Sequence, residues 1–363
     1  MKKIVFVAGD KSGDFYAGTL SKLLKERYRE AIDIYSFGGD TLARHSQQII
    51  NLVAHSVSGI FEALTHIGEL LGIFNQTVRS IREINPDILI LVDFPDFNLR
   101  LAKKLWPQFK IFYYVSPQIW AWRKKRIKSI KKYIENIIVL FEFEKEMYAQ
   151  EGIQALYFGH PLLDILKDHR QDTPEKLIIF LPGSRKNEVK AHLPIMCKAK
   201  RLIQKQLPDY KFLIIKPENI PLTFYTSIIQ DEIPVARHSY EQLLKAKFIV
   251  TSSGTATLEL AIMEIPHLVM YKVNLLSWLL LKNMVTVDFT AMPNIVAGKK
   301  IVEEYIQYNA TAQNIADYTL SIIKNNAACA QLKHALQAIK KKLEPYRAPQ
   351  ETATFIGNYL ELL

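Results

Sequence analysis

Residues 247–262 read K-F-I-V-T-S-S-G-T-A-T-L-E-L-A-I, and their pattern decides the fold class. Phe248, Ile249 and Val250 form a short apolar, partly β-branched run, and Ser252, Ser253 and Gly254 interrupt it. From Thr255 onward Leu258, Ala261 and Ile262 fall on one side of a helix. The stretch is a strand, a tight loop and a helix start. At such a junction the first N–H groups of the helix have no partner within it and its dipole is positive, so a phosphate can sit there without a lysine. Glu259, one turn further in, is an acceptor-only carboxylate suited to the two hydroxyls of a ribose. The ligand expected at Ser253, Gly254, Thr255, Ala256, Thr257 and Glu259 is a nucleotide diphosphate; the alternative is a capped βα unit with nothing bound. A full P-loop, G-x-x-x-x-G-K-[ST], is absent.

The same rhythm runs outward in both directions. Ile4–Val7, Ile88–Val92, Ile111–Val115 and Ile137–Phe141 alternate with longer segments of helical period, and Leu177–Leu181, Phe212–Ile215 and His267–Tyr271 continue it around the opening stretch. Continuous apolar runs suit strands covered by helices on both faces. The predicted fold is therefore α/β, with two doubly wound Rossmann-like domains facing a cleft where a ligand binds. Polar residues from Lys167 to Thr173, ending in Pro174, mark the boundary. The domains expected are 1–168 and 169–345, with 346–363 a C-terminal helix that packs back on the first.

Length supports two domains, since 363 residues exceed what one hydrophobic core usually serves, and 49% apolar residues are ample for two interiors. A formal net charge of +11 attracts anionic lipid, phosphorylated substrates and nucleic acid without choosing among them. Cys197 and Cys329 belong to no CxxC pair, which argues against a disulfide framework or structural zinc and fits a reducing cytoplasm. The basic and apolar start, Met1 to Ala8, stops at Asp10, too short for a signal-peptide core, and reads as a first buried strand. Leu275–Leu281 is far below bilayer length, so a soluble or peripheral protein is expected.

Several loops after strands carry chemistry. Gly9–Asp14 lacks the third glycine of a dinucleotide fingerprint and holds two carboxylates, so Asp10, Ser12 and Asp14 read as hydroxyl-binding or as helix caps. Asp93 leaves the end of a buried strand, where partial burial raises a carboxyl pKa and suits a general base; capping the next helix is the alternative. Asp96 and Asn98, in the turn after Pro95, are further candidates for acceptor or sugar contacts, with Asp96 as the turn's own hydrogen-bonding residue the alternative. Trp122 and Arg123, inside a run of tryptophans and cations, are candidates for gripping an anionic headgroup or sitting at a bilayer interface; with Lys128, Lys131 and Lys132 continuing at helical spacing, a solvated basic helix or a site for single-stranded nucleic acid are the alternatives. The broad apolar stripe Ile60, Phe61, Leu64, Ile67, Leu70, Leu71 and Phe74 suits acyl chains or a membrane surface, or an ordinary core. His160, before Pro161, is a diphosphate contact or a structural residue. Arg185, after Leu181-Pro182-Gly183-Ser184, can neutralise a diphosphate, and Asn294 can orient a donor sugar or cap a helix.

Taken together, A-G-D-K-S-G-D at 8–14, D-F-P-D-F-N at 93–98, Y-V-S-P-Q-I-W-A-W-R at 114–123, G-H-P at 159–161, L-P-G-S-R at 181–185, S-G-T-A-T-L-E at 253–259 and M-P-N-I-V-A-G at 292–298 resemble the motifs of the lipid-A-disaccharide synthase family, in order and over nearly the whole chain. The resemblance implies an inverting glycosyltransferase of GT-B fold, with UDP-2,3-diacylglucosamine as donor and 2,3-diacylglucosamine 1-phosphate as acceptor. The product implied is a β-1,6-linked disaccharide 1-phosphate. It implies cytoplasmic location, peripheral at the lipid surface of a Gram-negative inner membrane, an acceptor-binding first domain and a UDP-sugar-binding second one. Asp93 becomes the candidate base, Arg185 and Glu259 residues of the UDP site, and Asn294 a residue of the donor site. Family members usually carry Glu where this chain has Asp10. No D-x-D metal motif stands out, so no metal or cofactor is expected, and leaving-group charge falls on loop amides, the helix dipole and Arg185. A UDP-sugar epimerase of the same architecture and a basic nucleic-acid-binding protein are the competing classes; nucleic acid is not the expected partner. The oligomeric state, a homo-oligomer included, stays open.

Overall fold

The computed structural model describes residues 1–55, 67–117, 126–169, 173–229, 231–273 and 289–362. The chain forms two compact units, Met1–Asp164 with Pro345–Leu363, and Ile165–Glu344.

In the first unit the elements run β1 (Lys2–Ala8), α1 (Lys11–Tyr28), β2 (Ile32–Phe37), α2 (Asp40–Ala43), β3 (Gln47–Ile50), α3 (Ile67–Ile84), β4 (Ile88–Val92), α4 (Pro95–Leu105), β5 (Ile111–Tyr114), α5 (Ile127–Tyr133), β6 (Asn136–Val139), α6 (Glu142–Gln150), β7 (Ala155–Tyr157) and α7 (Pro161–Ile165), whose last residue falls in the second unit. The strands make a parallel sheet in the order β3-β2-β1-β4-β5-β6-β7. Every residue of β4 and Ile4–Ala8 of β1 are fully buried, because helices cover both faces of a parallel sheet. Chain order reverses between β1 and β4, and Ala8 pairs with Val92 at the ends of those strands.

The second unit runs β8 (Leu177–Leu181), α8 (Lys186–Gln206), β9 (Lys211–Lys216), α9 (Leu222–Thr226), β10 (Val235–Arg237), α10 (Tyr240–Leu244), β11 (Phe248–Ser252), α11 (Thr255–Ile262), β12 (His267–Tyr271), α12 (Met292–Ala297), β13 (Glu303–Ile306), α13 (Ala312–Lys324) and α14 (Asn326–Lys342). Its parallel sheet has the order β10-β9-β8-β11-β12-β13, so the reversal lies between β8 and β11. The opening stretch is thus a central strand with its loop and helix.

The last helix, α15 (Ala348–Tyr359), belongs to the first unit. The Asp164 carboxylate accepts the Arg347 and Ala348 N–H groups at 2.7 and 3.0 Å, capping its start. Gly357 lies so close to Tyr28 that a Cβ there would meet the hydroxyl at 1.9 Å, and Tyr359 packs edge-on to Phe112.

Candidate active site

In open parallel sheets, ligands bind beyond the carboxyl ends of the strands, where chain order reverses. Each unit places some of its candidate residues there, Asp10 and Asp93 in the first and Arg185 with Ser253–Glu259 in the second.

In the first unit, the loops after β1 and β4 leave side by side, carrying Asp10 and Asp93. Asp93 and Phe94 both adopt left-handed backbone, at φ 45° and 47°. For a residue with a side chain that costs about 1–2 kcal/mol each, so something must hold them there. Asn98 Nδ2 donates to the Asp93 and Val92 carbonyls at 2.8 and 3.2 Å, and the Tyr113 hydroxyl donates to the Asp93 carbonyl at 2.5 Å. The Phe94 ring lies over Gly9, where a Cβ would come within 2.1 Å of it. The bend turns Asp93 over the start of α1, with its Cβ 3.6 Å from the position of a Gly13 Cβ. Burial pushes the Asp93 carboxyl up to about 8, the nearby Asp10 charge adds to this, and the Phe94 amide and the Arg126 guanidinium pull the other way. Arg126 itself pairs with Asp96 at 2.6 Å. Next along the sheet, Val115 is also left-handed at φ 59°, and the following Ser116 donates to the buried Glu144 at 2.9 Å.

The remaining first-unit expectations divide. Asp10 caps α1, accepting from the Gly13 N–H at 2.7 Å and the Ser12 hydroxyl at 3.1 Å. Asp14 corrects the expectation of a sugar contact: it is buried, and its oxygens accept the Gly39, Thr41 and Leu42 N–H groups. Asn98 is fully buried, with its Nδ2 donating to strand-end carbonyls and its Oδ1 without a hydrogen-bond partner among the described residues. His160 is buried between Tyr16 and Phe141; its Nδ1 accepts the Leu162 N–H, and burial holds its pKa down at about 3, so the ring stays neutral. Trp122, Arg123, Ile60, Phe61 and Leu64 lie outside the described residues. In α3 Leu71 is 54% exposed, and Gly68 and Gly72 have open space around them.

In the second unit, β8 and β11 are neighbours, with Leu181 paired to Thr251, so the loops 182–185 and 252–254 emerge together. Gly183 takes φ 130°, and a Cβ would meet that of Glu188 at 2.6 Å. Glu188 folds back from α8 to accept the Ser184 N–H at 3.0 Å and stands 3.5 Å from the exposed Arg185 guanidinium. Beside it Gly254, at φ 152° with nothing near its Cβ position, opens α11 with Thr255 exposed and Ala256 half-buried. The Ser253 hydroxyl donates to the Thr290 carbonyl at 2.9 Å. Burial pushes the Glu259 carboxyl up to about 7, with the Tyr240 hydroxyl 3.4 Å away drawing it down.

Two donor-site expectations are corrected here. Thr257 is buried, donating to the Gly254 carbonyl and accepting the Met292 N–H, so it fastens the loop instead of meeting a ligand. Asn294 is also buried, its amide donating to Val302 O and Glu304 and its oxygen accepting the Ile301 and Val302 N–H groups, which leaves no capacity for a sugar. Sequence reasoning missed Glu304, which also accepts from Thr290 and Ala291 and so organises the start of α12. It missed Tyr113 as well. No local motif marks either residue, because each acts across strands. Among the described residues no helix is long and apolar enough to cross a membrane.

A family model described as Lipid-A-disaccharide synthetase matches residues 4–354. The chain is 31% identical over 372 residues to a lipid-A-disaccharide synthase of Coxiella burnetii, and 34% identical over 391 residues to that of a Sulfurihydrogenibium species; in each case the match covers 99% of both chains. Among solved structures it resembles a Staphylococcus aureus MnaA–UDP co-structure (TM-score 0.68, 14% identity, 100% of this chain and 98% of that one). It also resembles a spinosyn rhamnosyltransferase (TM-score 0.62, 12% identity, 99% and 100%). At those identities the structural likeness speaks for the fold alone, and that fold is the two-domain GT-B arrangement.

Proposed function

The chain belongs to the lipid-A-disaccharide synthase family and is a glycosyltransferase of lipid A biosynthesis, and from that premise we propose that it joins UDP-2,3-diacylglucosamine to 2,3-diacylglucosamine 1-phosphate with inversion. In this reading the first unit takes the acceptor and the second the UDP-sugar. The acceptor 6-hydroxyl gives its proton to Asp93 as its oxygen bonds to the anomeric carbon. The bond from that carbon to UDP breaks, and the leaving diphosphate takes the electron pair. The Gly254–Ala256 amides, the α11 dipole and Arg185 receive its charge, and Glu259 accepts the ribose hydroxyls.

The observation that carries the proposal is Asp93, a carboxyl lifted to about 8 on a left-handed bend at the sheet reversal. A base with a pKa near the working pH transfers protons most effectively. Asp10 contributes by keeping a second negative charge beside it. Arg126, Lys128, Lys131 and Lys132, with exposed Leu71, suit a diacylated, phosphorylated substrate presented at the cytoplasmic face of an inner membrane.

The test is to incubate purified protein with both diacylglucosamine substrates and follow products by mass spectrometry. Disaccharide 1-phosphate and UDP in equal amounts are expected, with and without chelator. UDP-sugar turnover that continues when the acceptor is omitted, yielding an epimer and no disaccharide, would refute it.

A further inference from the structure

His192, in the second turn of α8, is fully buried, and both its ring nitrogens are engaged. Nδ1 lies 2.7 Å from the Pro182 carbonyl oxygen, and Nε2 lies 2.9 Å from the Lys272 nitrogen and 3.1 Å from the Lys272 carbonyl oxygen. Both nitrogens face a carbonyl, which only accepts, but the Pro182 contact is the shorter and Nε2 also faces the Lys272 N–H, so in the neutral ring Nδ1 carries the hydrogen and Nε2 accepts from Lys272. Burial holds the imidazole below its ordinary pKa, which keeps the ring neutral. Tyr271 packs against it, with ring centres 5.6 Å apart.

The two backbone groups it joins are not on adjacent strands. Pro182 follows β8 and Lys272 follows β12, while β11, which carries the Ser253-Gly254 loop, lies between them. We propose that His192 is a positioning residue for the donor loops: it ties the turn of Pro182–Arg185 to the end of β12 across the strand that carries the second loop. The turn needs this tie because Gly183 is left-handed and Arg185 is exposed, and among the described residues its other fastenings run back to Glu188 and Val189 of the same helix. The tie fixes where the Ser184 amide and the Arg185 guanidinium stand. The inference rests on the reading of that turn as a diphosphate site.

His192→Phe fills the ring volume and removes both bonds. His192→Asn places an amide N–H where Nδ1–H stands and restores the bond to Pro182. Losing one buried hydrogen bond that holds a binding loop predicts about tenfold weaker UDP binding by calorimetry and a donor KM raised by the same factor in His192→Phe. Its kcat and acceptor KM should stay within about twofold, and His192→Asn should recover to within about threefold of the parent. UDP affinity unchanged in His192→Phe overturns the role. So does a loss shared equally by acceptor KM and kcat that Asn fails to recover, since that marks general disruption of the fold. Wild type and Arg185→Ala serve as controls. If wild type takes no UDP, the donor-site reading itself fails; if Arg185→Ala loses affinity and His192→Phe does not, only the role of His192 fails.

Discussion

Asp93 combines the features of a working base: a raised pKa, a second carboxylate near it and a backbone held in an unfavourable conformation by Asn98 and Tyr113. Only its deprotonated form takes a proton, so kcat/KM should climb with pH and level off above about 8, as a pH–rate profile would read. The stability effect has the opposite sign. With the native pKa above the unfolded value, the native state binds the extra proton between about 4 and 8 and loses stability as pH rises through that window. Asp93→Asn should therefore raise Tm at pH 8 by about 2–5 °C while lowering turnover by about 10²–10⁴-fold; an unchanged or lower Tm there would show that the carboxyl is not held protonated. Glu259 gives a second test. Its carboxyl, raised to about 7, is largely protonated at pH 6, and ribose hydroxyls bind the ionised form. UDP binding should then release a proton near pH 6.5, seen as a calorimetric heat that depends on the buffer and disappears in Glu259→Gln. Asp93 is read from its position after a buried apolar run, and Glu259 from lying one turn into the helix that follows another. The side chains of Asp14, Thr257 and Asn294, read from loops of the same kind, are engaged inside the fold, because a polar side chain in a loop satisfies backbone groups as readily as it meets a ligand, and the difference lies in contacts distant in sequence.

Among the elements, the loops at the two sheet reversals carry the proposed chemistry, and their geometry depends on single residues. Gly183→Ala puts a methyl group into Glu188 at a left-handed position. It should weaken UDP binding about tenfold with a drop of only a few degrees in Tm; UDP affinity equal to wild type would mean the turn does not touch the nucleotide. Asp164→Ala uncaps α15 and should cost about 1–2 kcal/mol in urea unfolding with an unchanged slope. The central strands β1, β4, β8, β11 and β12 were legible as continuous apolar runs, since each is covered on both faces. The strands β2, β3, β7, β10 and β13 were not read from sequence. Ile-Asp-Ile-Tyr-Ser-Phe of β2 alternates, and Val-Ala-Arg of β10 and Glu-Glu-Tyr-Ile of β13 are short edge or outer strands with little apolar signal. Val115 was read as strand but leaves it at φ 59°, a turn that no β-branched residue advertises.

For the whole molecule, the proposed reaction draws its base from one unit and its nucleotide contacts from the other. That division predicts that damage to each separates cleanly in measurement. The most direct test is UDP calorimetry and single-turnover disaccharide formation on the same preparations of wild type, Asp93→Asn and Arg185→Ala. Asp93→Asn should bind UDP within about twofold of wild type and form disaccharide at least about a hundredfold more slowly. Arg185→Ala should bind UDP about tenfold or more weakly and, at saturating donor, lose less rate than Asp93→Asn, the remaining loss reflecting the charge that grows as UDP leaves. An Asp93→Asn variant that turns over at the wild-type rate, or an Arg185→Ala variant that binds UDP unchanged, would contradict it.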